Sequence, residues 1–380
     1  MDTMGVGDGF GSETVETVII GAGQAGLAAG YHLARRGRPF VVLHPDARVG
    51  DGWRRHWDSL RLYSAARYDG LPGMAFPAPR HTFPTKDQMA DYLEAYAERF
   101  DLPVRSGIRV DAIDRVGERY VLTAGVRRIE AENVVVASGT WGEPHVPDFA
   151  AELDPDILQL HSSGYRNPAQ LREGGVLVVG ASHSGADIAF EVAAGHPTVL
   201  SGPIRGEIPI RIEGRPARVV MRVMWFAATR VLTVDTPIGR KLRPEVRAHG
   251  GPLIRVKSAD LRAAGVEHVA SRTVRAQDGL PVLDDGRVLD VANVIWSTGF
   301  RPDYSWIHLP ILGADGYPEQ VGGAVESHPG LYFVGLPFLH SFSSMLVGGA
   351  GRDAQRVVDH LDAHAPGRNQ AVGASGGSST

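Results

Sequence analysis

Two glycine-rich turns constrain this chain more than any other feature. Gly21-Ala22-Gly23-Gln24-Ala25-Gly26 follows an apolar run at residues 17–20, and Gly180-Ala181-Ser182-His183-Ser184-Gly185 follows another at 176–179. Each turn then opens a helical pattern. A strand, a glycine turn and a helix in that order present backbone N–H groups and a helix N-terminus to a pyrophosphate, with glycine where a side chain would block the approach. One such turn is a weak signal. Two in this context predict an α/β chain with two Rossmann-like dinucleotide-binding domains.

Other features narrow the function. The 380 residues, 43% hydrophobic and 22% charged, suit two or three globular domains. A formal net charge of −4 argues against a nucleic-acid binder. The chain has no cysteine, which excludes disulfides, thiolate metal sites, iron–sulfur clusters and any redox-active dithiol. There is no HExxH, no clustered metal-ligand spacing and no Gly-x-Ser-x-Gly elbow. No transmembrane segment is expected, because the most apolar stretch, 217–232, is interrupted by Arg218, Arg222 and Arg230. That stretch is expected to be an amphipathic helix packed on its own domain; a substrate-site lid or a membrane-surface contact is the alternative. The first sixteen residues are acidic and glycine-rich with no leader-like pattern, so a cytoplasmic location is expected.

Residues 17–20, 24–36 and 40–43 read as one βαβ unit, its helix ended by Gly37. Thr85 and Gln88 form a capping box for a helix reaching Phe100. Residues 108–113, 120–123 and 127–131 suggest a small antiparallel insertion, and 133–137 a return to the main sheet. A second strand–turn–helix unit starts at 174. Strands at 293–296 and 331–334, and a helix at 349–360, are expected to rejoin the first domain. The expected division is 13–150 plus 290–364 for the first domain, with 151–289 inserted as the second. The Gly/Ser-rich tail 365–380 is expected to be disordered.

Several groups in this order resemble the flavin-containing monooxygenase-like flavoproteins, which include YUCCA-type and Baeyer–Villiger monooxygenases. They are the first turn; Gly50-Asp-Gly-Trp53; Ser138-Gly-Thr-Trp-Gly-Glu-Pro144 with Pro147; His161-Ser-Ser-Gly-Tyr165; the second turn; and Ser297-Thr-Gly-Phe-Arg-Pro302. The resemblance spans 15–364 and is closest to a shorter bacterial branch of FAD-dependent oxidoreductases sharing Gly251-Pro-Leu-Ile-Arg-Val-Lys257. It implies that Gly21, Gly23, Gln24, Ala25 and Gly26 hold the FAD pyrophosphate and that Trp53 lies along the flavin. Thr140 is a further cofactor contact, and Thr298, Gly299 and Phe300 close over the flavin end. Gly180, Ser182, His183, Ser184 and Gly185 hold NADPH, with the NADPH domain inserted into the FAD domain.

Some positions depart from the pattern. His44 stands where the family has a glutamate for the ribose hydroxyls; a neutral imidazole or Asp46 could accept instead, with weaker or more pH-sensitive FAD binding. In the second unit, Ser201 ends the next strand with no acid directly following, and Arg205 and Arg211 come soon after. Serine plus arginine suits a 2′-phosphate, which favours NADPH over NADH. His161 and Tyr165 match the end of the signature FxGxxxHxxx(Y/W), but Pro155 and Ile157 replace its phenylalanine and glycine. They are candidate catalytic residues, with a structural role open for the histidine. Ser64 is the only small polar side chain where many relatives place an asparagine near flavin N5. His340 to Ser344 and the small residues 348–351 lie near the flavin in the family layout, for contact or for helix packing.

The implied chemistry begins with hydride transfer from nicotinamide C4 to flavin N5. The resemblance then implies dioxygen captured as a C4a-(hydro)peroxyflavin and a small amine, sulfide, ketone or oxo acid as substrate. An NADPH-dependent reductase, dehydrogenase or oxidase is the alternative, and a weakly active dinucleotide sensor a third reading. A homodimer is compatible with the sequence.

Overall fold

The computed structural model describes residues 12–139 and 142–364; Thr140 and the 365–380 tail lie outside the described residues. The first unit begins with β1 (Ser12–Ile20), α1 (Gln24–Ala34) and β2 (Phe40–His44). It continues through α2 (Asp51–Arg54), α3 (Lys86–Arg99), β3 (Val104–Ser106), β4 (Ala112–Val116), β5 (Arg119–Ala124) and β6 (Arg127–Val136). Val18, Ile19, Val42, Leu43, Val134 and Val135 are fully buried, as an α/β sheet covered on both faces requires. Each contributes roughly 1.5–3 kcal/mol of burial. Helix α3 starts at Thr85, whose side chain accepts from the Gln88 amide while the Gln88 side chain accepts from the Thr85 amide.

The first sheet runs β3-β2-β1-β6-β5-β4. Strand β6 is one ten-residue element, although the expected strands at 127–131 and 133–137 are separate. Along one edge it pairs in parallel with β1 from Arg128 to Val136. Along the other, residues 127–131 pair antiparallel with β5 and residues 134–136 pair parallel with a later strand. Two partners on one edge give two sequence patterns within one strand.

The chain leaves through β7 (Glu143–Pro144) and builds a second sheet from β8 (Leu158–His161), β9 (Val176–Val179), β10 (Thr198–Ser201) and β11 (Glu267–Val269). Helix α4 (His183–Val192) connects β9 to β10; α5 (Ala217–Phe226), α6 (Pro237–Ala248) and α7 (Ser258–Ala263) precede β11. A hairpin, β12 (Thr273–Gln277) with β13 (Leu280–Leu283), then leads to β14 (Asn293–Trp296). The order is β11-β10-β9-β14-β8, all parallel. The strand at 293–296 therefore lies inside the second sheet, which corrects the expected return to the first domain at 290. Its short apolar run states burial but not the sheet that supplies the partners.

The return follows at once. β15 (Phe300–Arg301) pairs antiparallel with β7, so the two linkers between the units form one ribbon. A Cβ on Gly142 would lie 2.1 Å from the Arg301 carbonyl oxygen, which fixes glycine there. β16 (Leu331–Phe333) joins β6, and α8 (Val347–Ala363) packs along α1.

The expectation that 217–232 packs on its own domain is also corrected. Trp225 stacks on Tyr68 of the first unit with ring centroids 4.8 Å apart, and a π-turn at Ala227–Val231 follows. Leu232 accepts from the Phe342 amide and the Val234 amide donates to the His340 carbonyl. The segment is thus tied to the first unit, although it is inserted within the sequence of the second.

Candidate functional site

The two turns share one backbone design. Gly21 and Gly180 both have φ +109°, and a Cβ on either would lie 2.5 or 2.3 Å from the carbonyl oxygen of Ala137 or Ser297. A Cβ on Gly26 or Gly185 would lie 1.9 or 1.8 Å from the oxygen of Gly21 or Gly180. These four glycines are demanded by the protein itself. Gly23 differs: its φ is an ordinary −77°, and a Cβ there would meet no atom within 4 Å. Helix α1, opening at Gln24 and the buried Ala25, has no side-chain cap and no acid in its first turn. Clear space over uncapped amides fits a pyrophosphate.

In the second turn Ser182 occupies the position of Gly23. Its hydroxyl donates to the Gly251 carbonyl at 3.0 Å and leaves α4 without a side-chain cap. Gly250 and Gly251 pass close by: a Cβ on Gly250 would lie 2.7 Å from Ser182 Oγ, and one on Gly251 3.3 Å from His183 Nδ1. Gly250 and Gly251 therefore pack against this turn.

His44 is buried, with both ring nitrogens engaged. Nδ1 accepts from the Ala22 amide at 3.4 Å, and Nε2 lies 3.2 Å from the Arg48 carbonyl, so the proton sits on Nε2. Burial lowers its pKa against the opposing pull of Asp46. His44 thus braces the first turn from below. Asp46 receives both terminal nitrogens of Arg55, at 2.7 and 2.8 Å. Burial pushes this carboxyl up, but the Arg55 hydrogen bond and charge leave it below the usual range.

The remaining expected residues separate into two sets. Trp53 packs against the cores of both units. Thr298 donates to the His145 carbonyl, and the Gly299 carbonyl accepts from the His145 amide and from His161 Nε2, both at 2.9 Å. Phe300 meets the His161 ring edge-on at 4.9 Å. His161 Nδ1 accepts from Ser163 and burial lowers the ring's pKa; with both ring nitrogens engaged, His161 ties β8 to the returning linker. Tyr165 is corrected more fully. It is completely buried in the second core and its hydroxyl donates to Glu191, so it is a packing residue. Ser201 is likewise fully buried, hydrogen-bonded to the Ser271 carbonyl and to Thr273, and presents nothing to a 2′-phosphate. Arg205 is exposed and has no carboxylate partner among the described residues; Arg211 is held by Asp260 at 2.7 and 2.6 Å. Gly348, Gly349 and Gly351 are required by packing, because a Cβ on each would strike the Tyr68 carbonyl, the Ser343 carbonyl and the Pro72 ring.

The structure brings together residues that sequence reasoning missed. Tyr63 donates to Asp187 at 3.0 Å and its ring meets His183 edge-on at 4.8 Å, so the loop carrying Ser64 lies on the first turn of α4. Ser184 also hydrogen-bonds the Tyr63 hydroxyl. Asp187 accepts a second hydrogen bond from Arg255 at 2.6 Å, yet burial still raises its pKa. Next to Tyr63, Ser64 donates to Asp69, which is 1% exposed; burial pushes Asp69 up to about 7, against the Ser64 hydrogen bond. An acid one turn into an apolar helix was the available signal for Asp187. Asp69 sits in Tyr68-Asp69-Gly70, which reads only as a turn.

Comparison with known proteins agrees with this arrangement. The pyridine nucleotide-disulphide oxidoreductase family model matches residues 18–200. An uncharacterized CzcO-like oxidoreductase of Geobacillus kaustophilus is 37% identical, covering 92% of this chain and 99% of that one. The probable indole-3-pyruvate monooxygenase YUCCA9 of Arabidopsis thaliana is 27% identical, covering 90% and 88%. The flavin-containing monooxygenase of Stenotrophomonas maltophilia superposes with a TM-score of 0.75 at 28% identity, covering 92% and 99%. Among the described residues no helix is long and apolar enough to cross a membrane. Two dinucleotide turns, a chain without the cysteines that disulfide reduction needs, and relatives matched end to end lead to one family: the chain belongs to the CzcO-like, flavin-containing monooxygenase-like flavoprotein oxidoreductases, enzymes that use FAD and NADPH.

Proposed function

We propose that this enzyme is an NADPH-dependent monooxygenase that oxygenates a small organic amine, sulfide, ketone or oxo acid. The observation that supports the reading is the contact of Tyr63 with His183 and Asp187, which brings the loop that carries Ser64, itself bonded to Asp69, onto the start of α4. FAD and NADPH, when bound, supply hydride transfer and oxygen activation. The chain supplies position. Gly23 and the open end of α1 receive one pyrophosphate, and the open end of α4 receives the other. Tyr63, fixed by Asp187 and Arg255, keeps the two units in register. Asp69, titrating near neutral pH, can hold a proton on its carboxyl and exchange it through Ser64 Oγ.

One observation favours a second reading, an oxidase or reductase. The Ser64 hydroxyl is already committed to Asp69, so it offers no free donor where relatives place an amide. The test is NADPH oxidation by the flavin-loaded protein under ¹⁸O-labelled dioxygen with a panel of sulfides, amines and ketones. Product carrying labelled oxygen in proportion to NADPH consumed supports oxygenation. Hydrogen peroxide matching NADPH consumption, with no labelled product across the panel, overturns it in favour of the oxidase.

A further inference from the structure

The segment tied to the first unit through Trp225 leaves its other face open. Val219, Val223 and Phe226 are 64, 65 and 61% exposed and follow one another at helical spacing, flanked by exposed Val220 and Met224. Val231, at the end of the π-turn, and Ile238, at the start of α6, are exposed as well. In α5 only Ala217 is buried. Exposure of this extent on a helix that is anchored on its opposite side marks an interaction surface.

Charge identifies the partner. Between residues 215 and 241 the chain carries six arginines and lysines against one acid, Asp235, although its overall formal charge is −4. Arg215, Arg218, Arg222, Arg230 and Lys241 are all exposed, and none has a carboxylate within salt-bridge distance among the described residues. The nearest acids along the chain are Glu213, Asp235 and Glu245, all exposed. A second copy docked through the same face in a two-fold dimer would bring these cations together. An anionic lipid surface matches both properties: its headgroups pair the arginines while the apolar side chains enter the acyl boundary.

We propose that α5, the π-turn and the start of α6 form an amphipathic platform that seats the enzyme on anionic membrane surfaces. The platform's inner face carries Trp225 and Met221 against the Tyr68 region, next to Asp69, so membrane docking would place the candidate site's wall at the lipid surface. The docking itself does not depend on the monooxygenase reading.

Vesicle flotation of the full-length, flavin-loaded protein tests it, using phosphatidylcholine vesicles with and without phosphatidylglycerol. Binding is expected only with phosphatidylglycerol and should weaken as salt is raised. The double variant V223D/F226D should bind about tenfold less while retaining its flavin. R218E/R222E should also lose binding, and V126D, an exposed valine far from the platform in sequence, should not. Absence of binding to phosphatidylglycerol vesicles overturns the proposal, as does binding unchanged in V223D/F226D. A concentration-dependent dimer that V223D/F226D abolishes, without vesicle binding, would assign the face to a second copy instead.

Discussion

The two glycine turns have matching backbones and different surroundings. At the first, Gly23 faces clear space and His44 supports the turn from below, with Nδ1 turned to the Ala22 amide. At the second, Ser182 is hydrogen-bonded to Gly251, and Tyr63 reaches across from the other unit to Asp187. The first turn is braced by residues of its own unit. The second is also a joint between units, so perturbing it should disturb docking as well as binding.

Replacing the innermost glycines should break this comparison most severely. Gly26→Val and Gly185→Val each force a Cβ into a carbonyl oxygen less than 2 Å away. G26V should purify without flavin. G185V should retain flavin that NADPH no longer bleaches under anaerobic conditions. If both lose flavin equally, the turns do not have separate ligands.

The joint comes next. Arg255→Ala leaves the buried Asp187 with Tyr63 alone and should cost about 3 kcal/mol at pH 8, measured by denaturant unfolding. The loss should shrink as the pH is lowered, because the raised pKa lets Asp187 take a proton and dispense with its cation at a higher pH than an ordinary aspartate would.

Asp69 adds a pH slope of opposite origin to ordinary acid denaturation. Its folded pKa near 7 lies above the ordinary 3.8, so the native protein keeps a proton that the unfolded chain loses in between. Its contribution to stability is therefore present below about pH 4 and declines toward pH 7, by roughly 1.4 kcal/mol per unit at most. Unfolding of the flavin-free protein at several pH values should show that slope, and D69N should remove it. An unchanged slope in D69N would show that Asp69 is ionised throughout.

The smallest effect is expected at Arg205. Arg205→Ala should raise the KM for NADPH roughly fivefold and leave that for NADH nearly unchanged, because an exposed arginine contributes about 1 kcal/mol to a phosphate contact. With Ser201 buried in the sheet, Arg205 is the remaining member of the expected serine–arginine pair. Equal changes for both cofactors would remove it from the 2′-phosphate site.

The sequence by itself determined the two turns, because glycine at 21, 26, 180 and 185 answers local backbone collisions that any strand–turn–helix of this kind creates. It determined the capping box at Thr85 for the same reason: its partners are three residues apart. The absence of cysteine excluded dithiol chemistry without any structure. Only the tertiary structure decided which sheet receives Asn293–Trp296, that Tyr165 and Ser201 face inward, and that Asp69 and Asp187 carry perturbed carboxyls. These outcomes depend on partners more than a hundred residues away or on exclusion from water. Local periodicity records that a side chain is buried, but not what it is buried against.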